Sequence, residues 1–197
     1  MLLIGLTGGI GSGKSSVSAR LGGHGAVVVD ADTIVREVQA PGGLVFNAMV
    51  ARFGPEIVAD DGTLNRQAVA DLVFTDSAAL ADLNAIVHPA VAEEIARRLE
   101  IAATTDQVVI LDVPLLVESG RDDLDRLIVV DVDPDLAVAR LVAHRGFRED
   151  DARARIARQA SREDRLARAD LVIDNSGTMA ELYLAVDAAW AWIEGLR

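Results

Sequence analysis

The feature that most constrains this fold is a glycine-rich stretch, residues 8–15, which lies between an apolar run and a helix-forming run. It reads Gly-Gly-Ile-Gly-Ser-Gly-Lys-Ser and matches the pattern G-x-x-x-x-G-K-[ST] at every fixed position. Residues 2–6 before it are typical of a buried strand, and residues 15–21 after it are typical of a helix. In such a strand–loop–helix unit, backbone N–H groups and the helix N-terminus bind anionic oxygens. The sequence therefore predicts a nucleotide phosphate site in an α/β fold.

Lys14 is the only lysine in a chain that otherwise uses arginine. A lysine retained at this position indicates that a compact ammonium is needed, because it can reach the β- and γ-phosphates of a nucleotide. The Ser15 hydroxyl is expected to coordinate Mg²⁺. The predicted phosphate-binding residues are Gly8, Gly9, Ile10, Gly11, Ser12, Gly13, Lys14, Ser15 and Ser16.

Composition narrows the class of protein further. A length of 197 residues favours one domain, and 51% hydrophobic with 4% aromatic residues indicates an aliphatic core. The formal net charge of −12 argues against nucleic acid and acidic membranes as partners, because both are polyanionic. The chain has no cysteine and no apolar run long enough to span a membrane, and its N-terminus lacks a secretory pattern. We expect a cytoplasmic protein.

The apolar pattern predicts a parallel sheet with helical crossovers. Strands are expected at residues 2–6, 26–29, 107–111, 126–130 and 171–173. Between residues 32 and 105 no strand is convincing, and a succession of helical patterns predicts an inserted substrate-binding region. Its helices are expected at 44–53, at 67–74 behind the N-cap Asn65, at 78–86 behind the N-cap Ser77, and from Pro89 onward.

Acidic residues follow the second, third and fourth of the predicted strands. Asp30 and Asp32 follow the second strand, where ligands of open parallel sheets bind. Asp32 fits a general base for an attacking hydroxyl, and it also fits a helix N-cap. Asp112 ends an apolar strand as an acid near Mg²⁺ would, but Asp131 ends a competing one. Glu118, after a proline turn, fits either a substrate ligand or a cap.

Residues 140–168 form an arginine-rich segment in an acidic protein. The spacing of four arginines predicts one shared helix face, which is either a solvated surface or a basic lid over polyphosphate. These four are Arg155, Arg158, Arg162 and Arg165. Arg140 and Arg145 are the candidates for the lid role.

Three further features carry weaker signals. His88 precedes Pro89, which disfavours helix at His88 itself. Asn175 lies in an Asp-Asn-Ser-Gly turn after the last strand, which fits a base-recognition loop or a generic turn. Trp190 and Trp192 are interpreted as packing residues.

Taken together, these motifs resemble the dephospho-CoA kinase family over nearly the whole chain. The resemblance rests on residues 6–15, Asp30-Ala31-Asp32, residues 83–89, residues 112–118, Arg140-Leu141 with Arg145, Gln159, and residues 169–177. Two positions depart from the family pattern: Val117 replaces an aromatic residue, and Arg165 stands where lysine is common.

The resemblance implies a P-loop NTPase three-layer sandwich with a mostly parallel five-stranded sheet, a helical substrate-binding insertion and a lid. The implied core comprises residues 1–36, 104–140 and 169–197, with a CoA-binding region at about 37–103 and a lid at about 141–168. The implied reaction transfers the γ-phosphoryl group of ATP, with Mg²⁺, to the ribose 3′-hydroxyl of dephospho-CoA.

The resemblance also implies roles for individual residues. Lys14, Asp32 and Arg140 are implied to be catalytic, and Asn175 and Gly177 are implied to form the adenine loop. The implied acceptor residues are Thr7, Asp30, Asp32, His88, Leu115, Leu116 and Glu118. We expect ATP and dephospho-CoA as partners, and a monomer. The alternatives are another small-molecule or nucleoside monophosphate kinase and a GTP switch, although a guanine-binding N-K-x-D motif would need a second lysine.

Overall fold

The computed structural model describes residues 1–114, 116–117 and 120–197, and for Thr75 the backbone alone. The chain divides into two compact units, residues 1–30 with 102–197, and residues 31–101. In the described part of the chain, no helix combines the length and the apolar character that a membrane crossing requires.

The first unit is built on a five-stranded, fully parallel sheet, as the sequence predicts. Its strands are β1 (Leu2–Gly8), β2 (Val27–Asp30), β3 (Val108–Asp112), β4 (Arg126–Asp131) and β5 (Leu171–Asp174). The strand order is β2-β3-β1-β4-β5, so β1 lies at the centre with β3 and β4 on either side. The carboxyl ends of both neighbours therefore flank the loop that follows β1.

Helices connect these strands. They are α1 (Lys14–Gly23), α6 (Pro134–Arg145), α7 (Glu149–Ile156), α8 (Arg162–Arg168) and α9 (Met179–Glu194). The main core joins sheet residues such as Ile4, Ile110 and Ile128 to apolar residues of α1 and α9. Burying these aliphatic side chains stabilises the unit by roughly 1.5–3 kcal/mol each. Trp190 and Trp192 pack against this core, which confirms their interpretation as packing residues.

The second unit is helical, as the sequence predicts. It contains α2 (Ala31–Val38), α3 (Leu44–Phe53), α4 (Arg66–Thr75) and α5 (Ser77–Ala103), whose last two residues belong to the first unit. Its apolar centre is formed by Val45, Met49, Ile57, Val69 and Val87. The predicted N-cap Asn65 is confirmed, because its side chain accepts a hydrogen bond of 3.0 Å from the Ala68 N–H.

Two boundary predictions in this unit are wrong. A new helix was expected from Pro89, but α5 runs through Pro89 and includes His88. The helix continues because residues on both sides of the proline, such as Leu83 and Val91, pack into the same apolar cluster. The predicted cap Ser77 is also wrong, since the Asp76 carboxylate accepts from the N–H groups of Ala78 and Ala79.

The predicted arginine face is wrong as well. The segment forms two helices, because α7 ends at Ile156 and Ser161 caps α8 by accepting from the Asp164 N–H at 3.0 Å. The four arginines consequently have separate environments. Arg155 lies over the Phe147 ring at 4.9 Å, whereas Arg162 forms an ion pair with Asp131.

Candidate active site

The glycine-rich loop connects the central strand to the first helix. It begins at Gly8, the last residue of β1, and ends at Gly13, the N-cap of α1. Gly11 and Gly13 have φ values of +83° and +84°, which other residues rarely adopt. Gly13 provides no side-chain cap, and the first N–H groups of a helix have no partner within the helix. The start of α1 is therefore arranged to receive an anion.

Asn175, the residue after β5, contacts the phosphate loop. Its side-chain amide donates a hydrogen bond of 2.7 Å to the Ser12 carbonyl, and its own N–H donates to the Asp131 carbonyl at 2.8 Å. Asn175 is buried. Gly177 follows two residues later and directly precedes Thr178, the N-cap of α9. The segment after β5 is thus hydrogen-bonded to the phosphate loop through Asn175.

Lys14 forms an ion pair with Asp112 at the end of β3. The two side chains are 15% and 4% exposed, so the pair is largely shielded from water. Burial raises the pKa of the Asp112 carboxyl, and the neighbouring Asp30 raises it further, whereas Lys14 and the Ser18 hydroxyl act in the opposite direction. Asp112 is therefore the acid that faces the loop lysine.

Asp131, the competing acid, has a different partner. It accepts a bidentate pair of hydrogen bonds from Arg162, with distances of 2.9 Å to Nε and 2.6 Å to Nη2. These bonds hold the pKa of Asp131 below its ordinary value. Of the two acids between which the sequence did not decide, Asp112 is the one that pairs with the loop lysine.

A cleft beside α1 brings together oxygen-bearing side chains. Ser15, Ser18, Asp30 and Asp112 line it, and Asp30 pairs with Asp112 in the sheet register. Hydroxyl and carboxylate oxygens are the ligands that Mg²⁺ prefers, so this donor set fits that ion. Within the described residues, no group of three or more histidine, cysteine or acidic side chains is arranged to hold a metal by itself.

Arg140 and Arg145 both belong to α6. Arg140 is partly buried, and its Nη1 is a buried atom that has no hydrogen-bond partner among the described residues. Arg145 is exposed in the last turn of the helix. Of the two, Arg140 therefore has the guanidinium donor that still needs an acceptor.

The segment between α7 and α8 contacts the outside of the loop. Gln159 Oε1 accepts a hydrogen bond of 2.9 Å from the Ile10 N–H. Arg165 donates to the Ala160 carbonyl at 2.6 Å, and its Nη2 lies 3.0 Å from the point where a Cβ on Gly9 would stand. Gln159 of this segment and Arg165 of α8 thus both approach the loop, and a side chain at position 9 would require the Arg165 guanidinium to shift.

The predicted acceptor residues are divided between the units. Thr7 is fully buried in β1 and donates to the Pro114 carbonyl at 3.2 Å, and Leu116 is buried. In the helical unit, Asp32 lies in the first turn of α2 and His88 is exposed on α5. Leu115 and Glu118 lie outside the described residues.

Sequence reasoning missed Ser18 and the pairing of Asp131 with Arg162, and it quoted Gln159 without a role. Ser18 lies three residues after Ser15 on α1, a helical spacing that places both on neighbouring turns of one face. This spacing was a usable signal. The partners of Asp131 and Ile10 come from distant segments, and no local pattern predicts them.

A parallel sheet with this loop between its central strand and α1, and with an acid of the adjacent strand facing the loop lysine, defines a P-loop nucleotide-binding protein. A model of the family described as dephospho-CoA kinase matches residues 2–181. The chain belongs to the dephospho-CoA kinase family.

Similar proteins support this assignment. A dephospho-CoA kinase of Streptomyces avermitilis is 53% identical over 192 residues, which cover 97% of this chain and 93% of the relative. A crystal structure of the protein TT1252 from Thermus thermophilus is 33% identical, with a TM-score of 0.77 and 96% of each chain covered. A dephospho-CoA kinase from Campylobacter jejuni, 21% identical, has a TM-score of 0.70 over 96% of each chain and supports the fold alone.

Proposed function

We propose that this chain transfers the γ-phosphoryl group of ATP to the 3′-hydroxyl of the ribose of dephospho-CoA, giving CoA and ADP. The bond between the acceptor oxygen and the γ-phosphorus forms, and the bond from that phosphorus to the β–γ bridging oxygen breaks. The observation that carries the proposal is the pairing of Lys14 with Asp112 at the mouth of the glycine-rich loop, in a member of this family.

The residues at the start of α1 hold the phosphates. Residues 8–16 supply backbone N–H groups other than those of Ile10 and Ser12, which are bonded within the protein. The first turn of α1 adds the positive end of its dipole. When ATP binds, the Lys14 ammonium exchanges its carboxylate partner for the β- and γ-phosphate oxygens. Lys14 then stabilises the charge that develops during transfer, an effect worth roughly 10²–10³ in rate for a single preorganised contact.

Mg²⁺ is the cation that this site suits. The Ser15 hydroxyl is the proposed ligand from the loop, and Asp112 and Asp30 add carboxylate oxygens to the cleft around it. When bound, the ion supplies positive charge to the phosphate oxygens of ATP. Once Lys14 has exchanged Asp112 for the phosphate oxygens, the Asp112 carboxylate would have Mg²⁺ as its new cationic partner.

Asp32 is the proposed general base. It follows β2 by two residues and lies in the first turn of α2, and the family resemblance assigns it to the acceptor ribose. Its carboxylate takes the proton of the 3′-hydroxyl as that oxygen attacks phosphorus. A correctly placed base contributes typically 10²–10⁴-fold in rate.

Other residues are proposed to bind the two substrates. Arg140 has a buried guanidinium nitrogen that lacks a partner in the described structure, and a phosphate oxygen of ATP would satisfy it. Arg145, Asn175 and Gly177 are assigned to the nucleotide side. Thr7, Asp30, Asp32, His88, Leu115, Leu116 and Glu118 are assigned to the acceptor side. We also propose that the chain is divided into a core, an acceptor region at about 37–103 and a lid at about 141–168. We propose further that the protein is a monomer and is located in the cytoplasm.

The test is ADP release from ATP and Mg²⁺ in parallel reactions with dephospho-CoA, AMP, CMP or no acceptor, with mass spectrometry of the acceptor product. We expect ADP only with dephospho-CoA, in equal amount to CoA. A dephospho-CoA analogue without the 3′-hydroxyl is the matched control, and it should inhibit without being phosphorylated. Phosphorylation of that analogue, or of AMP or CMP instead, would overturn the proposal.

A further inference from the structure

One hydrogen bond ties the phosphate loop to a segment far away in the sequence. The Ile10 N–H donates to Gln159 Oε1 at 2.9 Å, across a separation of 149 residues. Ile10 is the third residue of the loop, and Gln159 lies in the turn between α7 and α8. Both residues belong to the first unit. A side chain from this turn therefore fixes the direction of a loop peptide.

Gln159 is held in place from both sides. Before it, Ile156 of α7 packs with Ile10 against an apolar cluster that includes Val138 and Leu141 of α6. After it, Arg162 of α8 forms its bidentate pair with Asp131 at the end of β4. These contacts on both sides of the turn hold the side-chain oxygen of Gln159 against the loop.

The direction of the Ile10 N–H matters for the rest of the loop. This N–H faces Gln159, and the residues that follow continue the turn toward α1. Gly11 has a positive φ, and the Ser12 N–H donates a hydrogen bond of 3.0 Å to the Gly9 carbonyl. Glycine-rich backbone has many alternative conformations, and it loses much entropy when one of them is selected. A contact that selects the phosphate-binding shape before ATP arrives reduces that loss on binding.

The space between the loop and the turn is not itself a ligand pocket. Its lining includes Gly9, Ser12, Gln159 and Arg165, and its volume is about 20 Å³. Small-molecule sites have volumes of roughly 300–1,000 Å³. The volume of the cavity is therefore more than tenfold too small for a nucleotide or an acceptor. The turn packs against the loop and leaves no ligand site between them.

We propose that Gln159 is a positioning residue that holds the phosphate loop in its nucleotide-binding shape and links that shape to the α7–α8 segment. Gln159 acts through the Ile10 backbone. The inference rests on the proposed function only in requiring that a nucleotide binds at this loop.

The first measurement is hydrogen exchange of the Ile10 amide in the unsubstituted protein without nucleotide. Protection of this amide is expected, and an unprotected Ile10 amide in the folded protein would overturn the proposal without any variant. The second comparison uses Gln159→Leu, which removes the acceptor, and Gln159→Glu, which keeps an oxygen at the same reach. Gln107→Leu is the matched control, because Gln107 is exposed and directly precedes β3, outside the proposed acceptor region.

Gln159→Leu should lose Ile10 protection, and its affinity for ATP measured by calorimetry without acceptor should fall roughly 2- to 10-fold, as expected for one neutral hydrogen bond. KM for dephospho-CoA should stay unchanged. Gln159→Glu should restore the Ile10 protection, and Gln107→Leu should alter none of these values. Unchanged ATP affinity in Gln159→Leu, or equal rises in both KM values, would overturn the proposal. Failure of dephospho-CoA turnover in the unsubstituted protein would affect only the proposed function, since exchange and ATP binding are measured without acceptor.

Discussion

The buried pair of Lys14 and Asp112 allows the structural and chemical roles of the loop lysine to be separated. Lys14→Met removes the ammonium and keeps most of the side-chain volume. The Asp112 side chain is 4% exposed. Its carboxylate then keeps its hydrogen bond with the Ser18 hydroxyl and loses its cationic partner. We expect the variant to fold, to be less stable, and to lose most of its turnover.

The size of the stability loss follows from burial. Removing one partner of a buried ion pair costs about 3–5 kcal/mol when the remaining charge stays buried. We take the lower limit, about 3 kcal/mol, because the raised pKa of Asp112 makes protonation available as relief. For a chain of 197 residues this corresponds to a fall in Tm of about 6–12 °C. Turnover should fall by roughly 10²–10³ from the loss of one transition-state contact.

The loss should depend on pH. Folding raises the pKa of Asp112 above its unfolded value, and removing Lys14 raises it further, so this carboxyl favours the folded state most when it is protonated. Its contribution is complete below the ordinary pKa of aspartate and is lost as the pH rises through the folded-state pKa. The deficit of Lys14→Met relative to the unsubstituted protein should therefore widen as the pH rises above the ordinary aspartate range.

The assay compares thermal unfolding and turnover for Lys14→Met, Asp112→Asn and the double variant. The double variant should regain most of the stability, because no uncompensated carboxylate remains, but none of the turnover. Arg52→Met is the control, since its partner Asp82 is exposed and such a pair contributes less than about 1 kcal/mol. A pH-independent deficit that persists in the double variant would refute the ion-pair reasoning. Turnover near that of the unsubstituted protein in Lys14→Met would refute the phosphate site.

Three further predictions concern neighbouring parts of the site. Asp32→Asn should lower kcat by at least about 10², while the affinity for ATP without acceptor is unchanged. Near-normal turnover would show that Asp32 is not the general base. Asn175→Ala should cost about 1–3 kcal/mol in thermal unfolding and weaken ATP binding, because the Ser12 carbonyl loses its buried donor; unchanged Tm and affinity would contradict this role. Arg162→Gln should lose more stability at pH 7 than at pH 3, because the lowered pKa of Asp131 stabilises the fold above the ordinary aspartate range and that contribution is lost as the pH falls through the folded-state pKa. A deficit of equal size at both pH values in urea unfolding would show that the pair has no such linkage.

Sequence reasoning succeeded where the determinants are local. All five strands and the helix α3 were predicted close to their observed bounds, because apolar runs and helical periodicity depend on neighbouring residues alone. The phosphate loop was predictable for the same reason, since the spacing of its glycines, Lys14 and Ser15 lies within eight successive residues. The N-cap Asn65 was a similarly local signal.

The wrong predictions involve local signals that tertiary packing outweighed. Pro89 normally starts or breaks a helix, but α5 continues through it because apolar residues on both sides share one cluster. The arginine spacing predicted one face, but the Ser161 cap and the pairing of Arg162 with Asp131 divide the segment into two helices. In both cases, contacts distant in sequence decided the backbone.

The sequence by itself determined that this chain has a phosphate loop at the end of a central strand, because that motif is complete within a few residues. It also determined that the third and the fourth strand each end in an acid. Only the tertiary structure decided that Asp112 faces Lys14 and that Asp131 faces Arg162. The physical reason is that β3 and β4 both flank β1, so either acid lies beside the loop, and only the positions of α1 and α8 assign each carboxylate to its cation.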